Sequence, residues 1–172
     1  AELQGRLEDR GRRLEVAQQQ LAEYARQRPY LYSHRSESSA YVHYNDPLGH
    51  PAGPNSSDLS TWILYAPFPR LEVGLHASHT VRGRNTATEN FGSDATLSYD
   101  TRVSNEGIVT LQGVRQRESI LEGWASLEVL PEVHLGGGLV YHSLDDEEDG
   151  RNRSATGFLQ LRWGLPYQTI RY

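Results

Sequence analysis

Strict alternation of apolar and polar residues is the feature that most constrains this chain. In one segment the alternating residues are Leu71, Glu72, Val73, Gly74, Leu75, His76 and Ala77. The same period of two recurs in residues 133–142 and 157–164. Such alternation predicts β-strands in an antiparallel meander, with one apolar face and one face in water.

Clusters of turn-forming residues divide the chain into nine predicted strands. We place them at residues 40–44, 59–66, 71–80, 95–103, 107–116, 119–129, 133–143, 155–164 and 167–172, with 30–35 as an extension of the first or a further strand. Long connections at 45–58, 81–94 and 144–154 alternate with short ones at 67–70, 104–106, 130–132 and 165–166, and only a tight turn at Arg117-Glu118 breaks the alternation. Tight turns at one end and longer loops at the other are typical of transmembrane β-barrels.

The beginning of the chain shows a different period, which predicts an amphipathic helix. Leu7, Leu14 and Leu21 recur every seven residues. The pattern ends at Arg28-Pro29 because the residue before a proline is disfavoured in the α conformation. We therefore predict a helix over residues 1–29 and barrel strands over residues 30–172. Residues 1–28 would pack on a periplasmic partner or self-associate as a coiled coil.

Composition narrows the setting of this fold. The 172 residues include no Cys, all 17 basic residues are Arg, and the formal net charge is -5. The lack of Cys excludes disulfides and Cys-based metal or redox sites, and the acidic balance argues against nucleic acid as a partner. No apolar run approaches the ~20 residues of a transmembrane helix, so if the chain spans a membrane it must use strands.

The polar faces of the predicted strands supply the candidates for a wet barrel lumen. They are Glu72, His76, Asp100, Glu122, His134, His142 and Arg162. Such a lining would mildly favour cationic or neutral polar cargo. Aromatic residues near predicted strand ends are candidates for the belts at the membrane interfaces, namely Tyr65, Phe68, Trp124, Tyr141, Trp163 and Tyr167. A register shift of one residue would exchange the two faces.

The sequence contains no motif that would indicate catalysis or metal binding. Neither a G-x-S-x-G nor an HExxH motif occurs, and adjacent Ser and His residues on a strand point to opposite faces. The acidic run at 145–149 lacks the spacing of an EF-hand loop and is typical of a solvated loop, whose Arg151 and Arg153 could meet lipopolysaccharide phosphates. We expect no enzyme activity, no catalytic residue, no metal and no cofactor.

The organisation resembles the Gram-negative outer-membrane porins that export exopolysaccharides such as cellulose, poly-N-acetylglucosamine and Pel. The matching features are the helix over residues 3–28, which runs through Arg28-Pro29 into strands, and hairpins such as residues 127–135. The resemblance implies a transmembrane β-barrel in the outer membrane, with its helix on the periplasmic side, polysaccharide as cargo, and a bilayer with lipopolysaccharide around it. Trp62 and Trp124 would stack on sugars. Barrels of that family have more than nine strands, which implies that this chain is part of a longer barrel.

Two other functions fit the same pattern. A soluble β-barrel or sandwich that binds a ligand or partner would have the same alternation, but its apolar residues would point inward. An outer-membrane anchor would expose the same apolar residues to lipid, but its barrel would be filled. The direction in which the apolar side chains point separates the first reading from the soluble alternative.

Overall fold

The chain is mainly β and forms one antiparallel sheet in meander order. The computed structural model describes residues 17–36, 42–43 and 46–164. The sheet has six strands in the order β1-β4-β5-β6-β7-β8, and β2 and β3 form a separate ribbon of two strands. The strands are β1 (Ala17–Gln27), β2 (Val42–His43), β3 (Asp46–Pro47), β4 (Ser56–Phe68), β5 (Leu71–Arg84), β6 (Val114–Leu130), β7 (Val133–Asp146) and β8 (Gly150–Trp163).

The prediction of a helix is wrong for the described part of the segment at residues 1–29. Residues 17–27 form β1, which pairs antiparallel with β4 from Ala17 opposite Ala66 to Gln27 opposite Ser56. Leu7 and Leu14, which gave the seven-residue spacing, lie outside the described residues. Pairing with β4 gives hydrogen-bond partners to the backbone groups along one edge of β1, and such tertiary contacts override local helix propensity.

The segments with the strongest alternation do form strands. The predicted strands at 59–66, 71–80, 119–129 and 133–143 lie inside β4 to β7, and 155–164 coincides with β8 except for its last residue. Arg117 and Glu118, predicted as a turn, are instead continuous strand within β6. Of the predicted strand at 40–44 only β2 is described, residues 30–35 form turns, and 167–172 lie outside the described residues.

The predicted strand at 95–103 and most of the one at 107–116 are wrong. Residues 85–113 form a long connection that contains a short 3-10 helix, Tyr99–Thr101. Asp94 accepts a hydrogen bond from the Thr96 amide at 2.8 Å, and Ser98 accepts one from the Asp100 amide at 3.2 Å. Such side chain-to-backbone bonds stabilise turns and compete with strand pairing.

Long and short connections lie at opposite ends of the sheet. Residues 28–55, 85–113 and 147–149 connect strands at one end, called here the loop end, and the turns at 69–70 and 131–132 lie at the other, the turn end. The asymmetry predicted from the sequence is present, although its third loop is a three-residue turn.

The pairing register gives the sheet two unlike faces, because residues paired across strands share a face. The apolar face carries Ile63, Leu71, Val73, Leu75, Leu121, Leu127, Leu135, Leu139, Leu159 and Leu161, called here the apolar band. The opposite, polar face carries Asp58, Ser60, Trp62, His76, Ser78, Thr80, Glu118, Glu122, His142 and Thr156. Among the described residues the buried apolar side chains are Ala52, Pro54, Ala95 and Val114, and one of the four belongs to a strand, so the sheet does not have a hydrophobic core of its own.

A buried asparagine holds the long connections against the loop end of the sheet. The Asn55 side chain is fully buried and donates to the backbone oxygens of Gly83 at 2.6 Å and Gln112 at 2.8 Å. Its own Oδ1 accepts from the Leu111 amide at 2.7 Å. Asn55 has a φ of 54°, a left-handed conformation that asparagine tolerates better than most residues. One side chain therefore ties segment 28–55 to segment 85–113.

We predict that Asn55→Ala destabilises the protein by roughly 2–4 kcal/mol, because buried backbone groups lose their partners and alanine disfavours a positive φ. Urea unfolding followed by tryptophan fluorescence measures the loss, and hydrogen exchange of residues 85–113 should accelerate. Asn105→Ala removes an exposed loop amide and should change stability by less than about 0.5 kcal/mol. Equal stability of the two variants would contradict this role of Asn55.

Candidate functional site

The polar face of the sheet brings together most of the residues predicted to line a lumen. Glu72, His76, Glu122, His134, His142 and Arg162 all lie on this face by their register. Asp100 does not, and its prediction as a strand residue is wrong. It lies in the 3-10 helix, where its carboxylate is 3.6 Å from Arg35 Nε.

The predicted interface aromatics divide between the two faces. Tyr65, Tyr141 and Trp163 lie on the apolar face, and Phe68 lies next to the turn at 69–70. Trp124 lies on the polar face and in the middle of β6, not near a strand end. Tyr167 lies outside the described residues.

Trp124 takes its position because its strand neighbours are glycines. Gly74 and Gly138 flank it in the adjacent strands, and a Cβ on Gly74 would lie 2.2 Å from the Trp124 indole. The absent side chain of Gly74 therefore lets the ring lie close to the backbone of β5. The glycine at 74 is required here by the close approach of an aromatic ring, not by backbone conformation.

A cavity of about 350 Å³ opens on the polar face below the loop end. Strands β4, β5 and β6 form its floor, and residues 50–52 of the first long connection form one wall. The Arg82 side chain attaches that wall to the sheet by donating to the Ala52 oxygen at 2.6 Å. This cavity is called here the polar cavity. Its principal lining residues are Glu23, His50, Asp58, Trp62, His76, Arg82 and Glu118. The volume is within the range of small-molecule sites.

An aromatic platform forms the centre of the polar cavity. The Trp62 and His76 rings face each other across β4 and β5, with centroids 4.7 Å apart and an interplanar angle of 10°. Trp62 is 39% exposed, so part of its ring remains accessible to a ligand. Flat, accessible aromatic rings contact the apolar faces of planar or ring-shaped molecules.

Carboxylates surround this platform in fixed positions. Asp58 accepts hydrogen bonds from Ser60 Oγ at 2.8 Å and Thr80 Oγ1 at 2.5 Å. Glu118 lies 2.8 Å from His142 Nε2, and Glu23 lies 3.6 Å from His50 Nε2. The polar cavity can therefore accept hydrogen bonds from hydroxyl or amine groups and attract a cation.

The sequence prediction missed Asp58, Arg82 and Glu118. The sequence pattern predicts Asp58 and Arg82 in long loops and Glu118 in a turn, because it predicts strands that are shorter at the loop end than β4, β5 and β6 are. Alternation does continue through Asp58, Ser60 and Trp62, and that signal could have found the first of them. The stack of Trp62 on His76 depends on register and could not be read from one strand.

Serine and histidine also meet across strands. His79 Nδ1 and Ser119 Oγ are 2.9 Å apart on the apolar face, next to the apolar band. In the described part of the chain no carboxylate hydrogen-bonds to His79, so nothing there orients the imidazole as a base. The sequence neighbours Ser78 and His79 lie on opposite faces, as predicted.

A buried ion pair closes the loop end of the polar face. Arg84 Nε lies 2.6 Å from Asp146 Oδ2, and Arg84 Nη2 donates to Oδ1 at 2.8 Å. Asp146 also accepts from the amides of Glu148 and Asp149, which fixes the turn between β7 and β8. The hydrogen bond from Arg84 lowers the pKa of Asp146 well below its usual value, more than burial raises it.

Three comparisons with known proteins leave the geometry as the only guide to function. No protein-family model matches the chain, and neither curated proteins nor solved structures match it. Among residues 17–36, 42–43 and 46–164 no group of three or more His, Asp or Glu is placed to hold a metal ion. No helix among these residues is long and apolar enough to cross a bilayer.

We predict that Asp146→Asn lowers the stability of the protein by roughly 2 kcal/mol at pH 7, because a charge-assisted pair is lost. The folded pKa of Asp146 is depressed, so the stabilisation is fully present above the unfolded pKa near 4 and is lost as pH falls towards the folded value. The difference between wild type and variant should therefore shrink below about pH 4. Unfolding at a series of pH values measures it.

Asp149→Asn is the control for this experiment, because that side chain is 77% exposed although it also contacts Arg84. It should lose less than about 1 kcal/mol. A wild-type protein and an Asp146→Asn variant with the same dependence on pH would contradict the assignment.

Proposed function

We propose that this chain forms part of an outer-membrane β-barrel whose polar face lines a water-filled channel for transport or secretion. The observation that carries the proposal is the exposure of the apolar band. Leu159 is 95% exposed, Leu139 70% and Leu161 69%. Contiguous apolar surface on this scale is rare in soluble monomers and marks contact with a membrane or another protein.

The dimensions of the band suit a bilayer. On β8 the apolar residues extend from Ala155 to Trp163, a span of nine residues on one face. A tilted strand crosses a bilayer in about 9–11 residues. Polar side chains replace apolar ones beyond this span towards the loop end, where Arg151 and Arg153 begin the strand.

Exposed aromatic residues lie on the apolar face on both sides of the row that contains Leu139, and membrane barrels also carry aromatic residues towards both interfaces. Tyr24 and Tyr141 lie on the loop-end side, and Tyr65 and Trp163 lie on the turn-end side. Each is more than 40% exposed, so its ring is available to the interface. The polar strand β1 is the exception, because Gln20 occupies a position in line with Ile63 of the band.

The barrel needs strands beyond the six of the main sheet. β1 and β8 are the edges of the sheet, and β8 is exposed along its whole length. Backbone groups at an open edge cannot face lipid unpaired, and only a closed barrel removes both edges. Eight strands is the lower limit for bacterial barrels of this kind, so at least two more are required.

The soluble alternative is less well supported. A soluble barrel would turn its apolar face inward, but residues 50–52 of the first long connection lie against the polar face, where Arg82 holds Ala52. No described segment covers Leu139 or Leu159. The position of residues 50–52 favours the outer-membrane anchor in one respect. These residues occupy part of the space on the polar face, and the interior of an anchor barrel would be filled.

Polysaccharide is the cargo that we propose. The Trp62–His76 platform offers a surface for the apolar face of a sugar ring, and the Asp58 and Glu118 carboxylates can accept hydrogen bonds from its hydroxyl groups. The carboxylates outnumber the arginine in the polar cavity, which favours neutral or amino sugars over acidic ones.

The first experiment tests the membrane setting. The full-length protein should require detergent to remain monodisperse and should show heat-modifiable gel mobility, as closed barrels do. A monodisperse protein without detergent would end the proposal. Conductance of the reconstituted protein separates a channel from a filled anchor.

We predict that Leu139→Arg weakens membrane insertion by roughly 2–4 kcal/mol, because Leu139 lies in the middle row of the band. Thr156→Arg is the matched control, since Thr156 lies on the polar face of the neighbouring strand. Folding into phospholipid vesicles under a urea series measures both variants. Equal tolerance of arginine at the two positions would contradict the assignment of the faces.

We also predict that Trp62→Ala weakens the binding of neutral oligosaccharides roughly fivefold, because the stacking surface is lost. Phe158→Ala removes a ring from the same face outside the polar cavity and should leave binding unchanged. Calorimetric titration of the reconstituted protein gives both affinities. An unchanged affinity in Trp62→Ala would rule out the polar cavity as the sugar site.

A further inference from the structure

Arginine residues gather on the apolar face where the band ends at the loop end. Arg117, Asp145 and Arg151 are aligned across β6, β7 and β8, and Arg153 lies one row closer to the band, beside Ser143. Arg117, Arg151 and Arg153 are called here the arginine cluster. They share a face with Leu139 and Leu159, so the cluster and the band form one continuous surface.

Of the three guanidinium groups in the cluster, one is paired with a carboxylate of the described residues. Arg151 Nη2 donates to Asp145 Oδ2 at 2.8 Å. That bond, with the nearby charges of Arg117 and Arg153, lowers the pKa of Asp145. Asp145 is therefore ionised and balances one guanidinium group. Among the described residues Arg117 and Arg153 have no ion-pair partner.

The turn end of the apolar face and the loop end of the polar face have no comparable group of unpaired arginines among the described residues. At the turn end the apolar face finishes in Leu127, Leu135, Leu161 and Trp163, and the nearest arginine on that side is Arg70 in the turn itself. On the polar face at the loop end Arg84 is paired with Asp146 and Asp149. Arg70 is a single arginine, so in the described residues the grouping of three arginines beside the apolar band occurs at the loop end.

We propose that the arginine cluster is a docking site for the phosphate groups of lipopolysaccharide in the outer leaflet. The proposal rests on the proposed function, which places the long connections outside the cell and the band in the acyl chains. Guanidinium groups bind phosphate through paired N–H donors and bind it better than a point charge does. A phosphate-bearing lipid fits because its acyl chains can lie along Leu139 and Leu159 while its headgroup reaches the arginines. A free phosphate ion would contact the arginines but not the apolar band.

The test reconstitutes the full-length protein in nanodiscs of phosphatidylethanolamine, with and without lipopolysaccharide. Bound lipopolysaccharide is counted by native mass spectrometry. The variant Arg117→Gln, Arg151→Gln, Arg153→Gln removes the cluster, and the matched control Arg35→Gln, Arg70→Gln, Arg162→Gln removes three exposed arginines elsewhere. We expect the cluster variant to retain roughly tenfold less lipopolysaccharide than the wild type, and the control variant to retain as much as the wild type.

Two further arms identify the ligand chemistry. Dephosphorylated lipopolysaccharide should bind the wild type as weakly as intact lipopolysaccharide binds the cluster variant. Inorganic phosphate at millimolar concentration should not displace the lipid, and displacement would show a free-anion site instead.

The outcomes distinguish this proposal from the proposed function. If the cluster variant inserts into phosphatidylethanolamine and binds lipopolysaccharide like the wild type, the docking site is wrong and the barrel stands. If the wild type inserts into neither kind of nanodisc and remains monodisperse without detergent, both proposals are wrong.

Discussion

The apolar face of the sheet is the constraint on which the rest of this structure depends. Pairing satisfies the backbone groups of the four inner strands, but burial of apolar side chains is the main driving force for folding. Within the described residues nothing covers the Leu139 and Leu159 side chains. Such a face is stable only when another apolar medium removes it from water. Acyl chains supply that medium without a complementary protein surface, so a lipid-facing barrel accounts for both the exposed leucines and the polar face behind them.

The loop end compensates for the missing hydrophobic core with polar contacts. Asn55 links two long connections through their backbone, and the Arg84–Asp146 pair links the ends of β5 and β7. Buried polar groups stabilise a structure when each has its partner, and these have several. The result is a hydrogen-bonded rim, and Arg82 attaches residues 50–52 beside it through the Ala52 oxygen. The position of the loops is therefore set by hydrogen bonds rather than by the packing of apolar side chains. The same bonds would set the width of a channel on the polar face.

Alternation of residue type predicted the strands where one face is apolar, because that pattern is local. It failed where the strands leave the apolar band. Arg117 and Glu118 place one charged side chain on each face of the sheet. Two adjacent charged residues are also typical of a turn, yet these two continue β6. β1 could not be predicted, since only pairing with β4 distinguishes its glutamines from a helix. Six of the seven lumen candidates share one face, but the Trp62–His76 stack required knowledge of the register.

The direction of the β7 side chains is the most direct test of the account, and the lack of cysteine in the chain makes single-site labelling clean. A fluorophore attached in Leu139→Cys should be quenched by brominated lipid and protected from aqueous iodide. The same fluorophore in Val140→Cys, one residue further along the strand, should show the reverse. A lipid-facing sheet would be contradicted if iodide quenched the fluorophore at both positions and brominated lipid quenched it at neither.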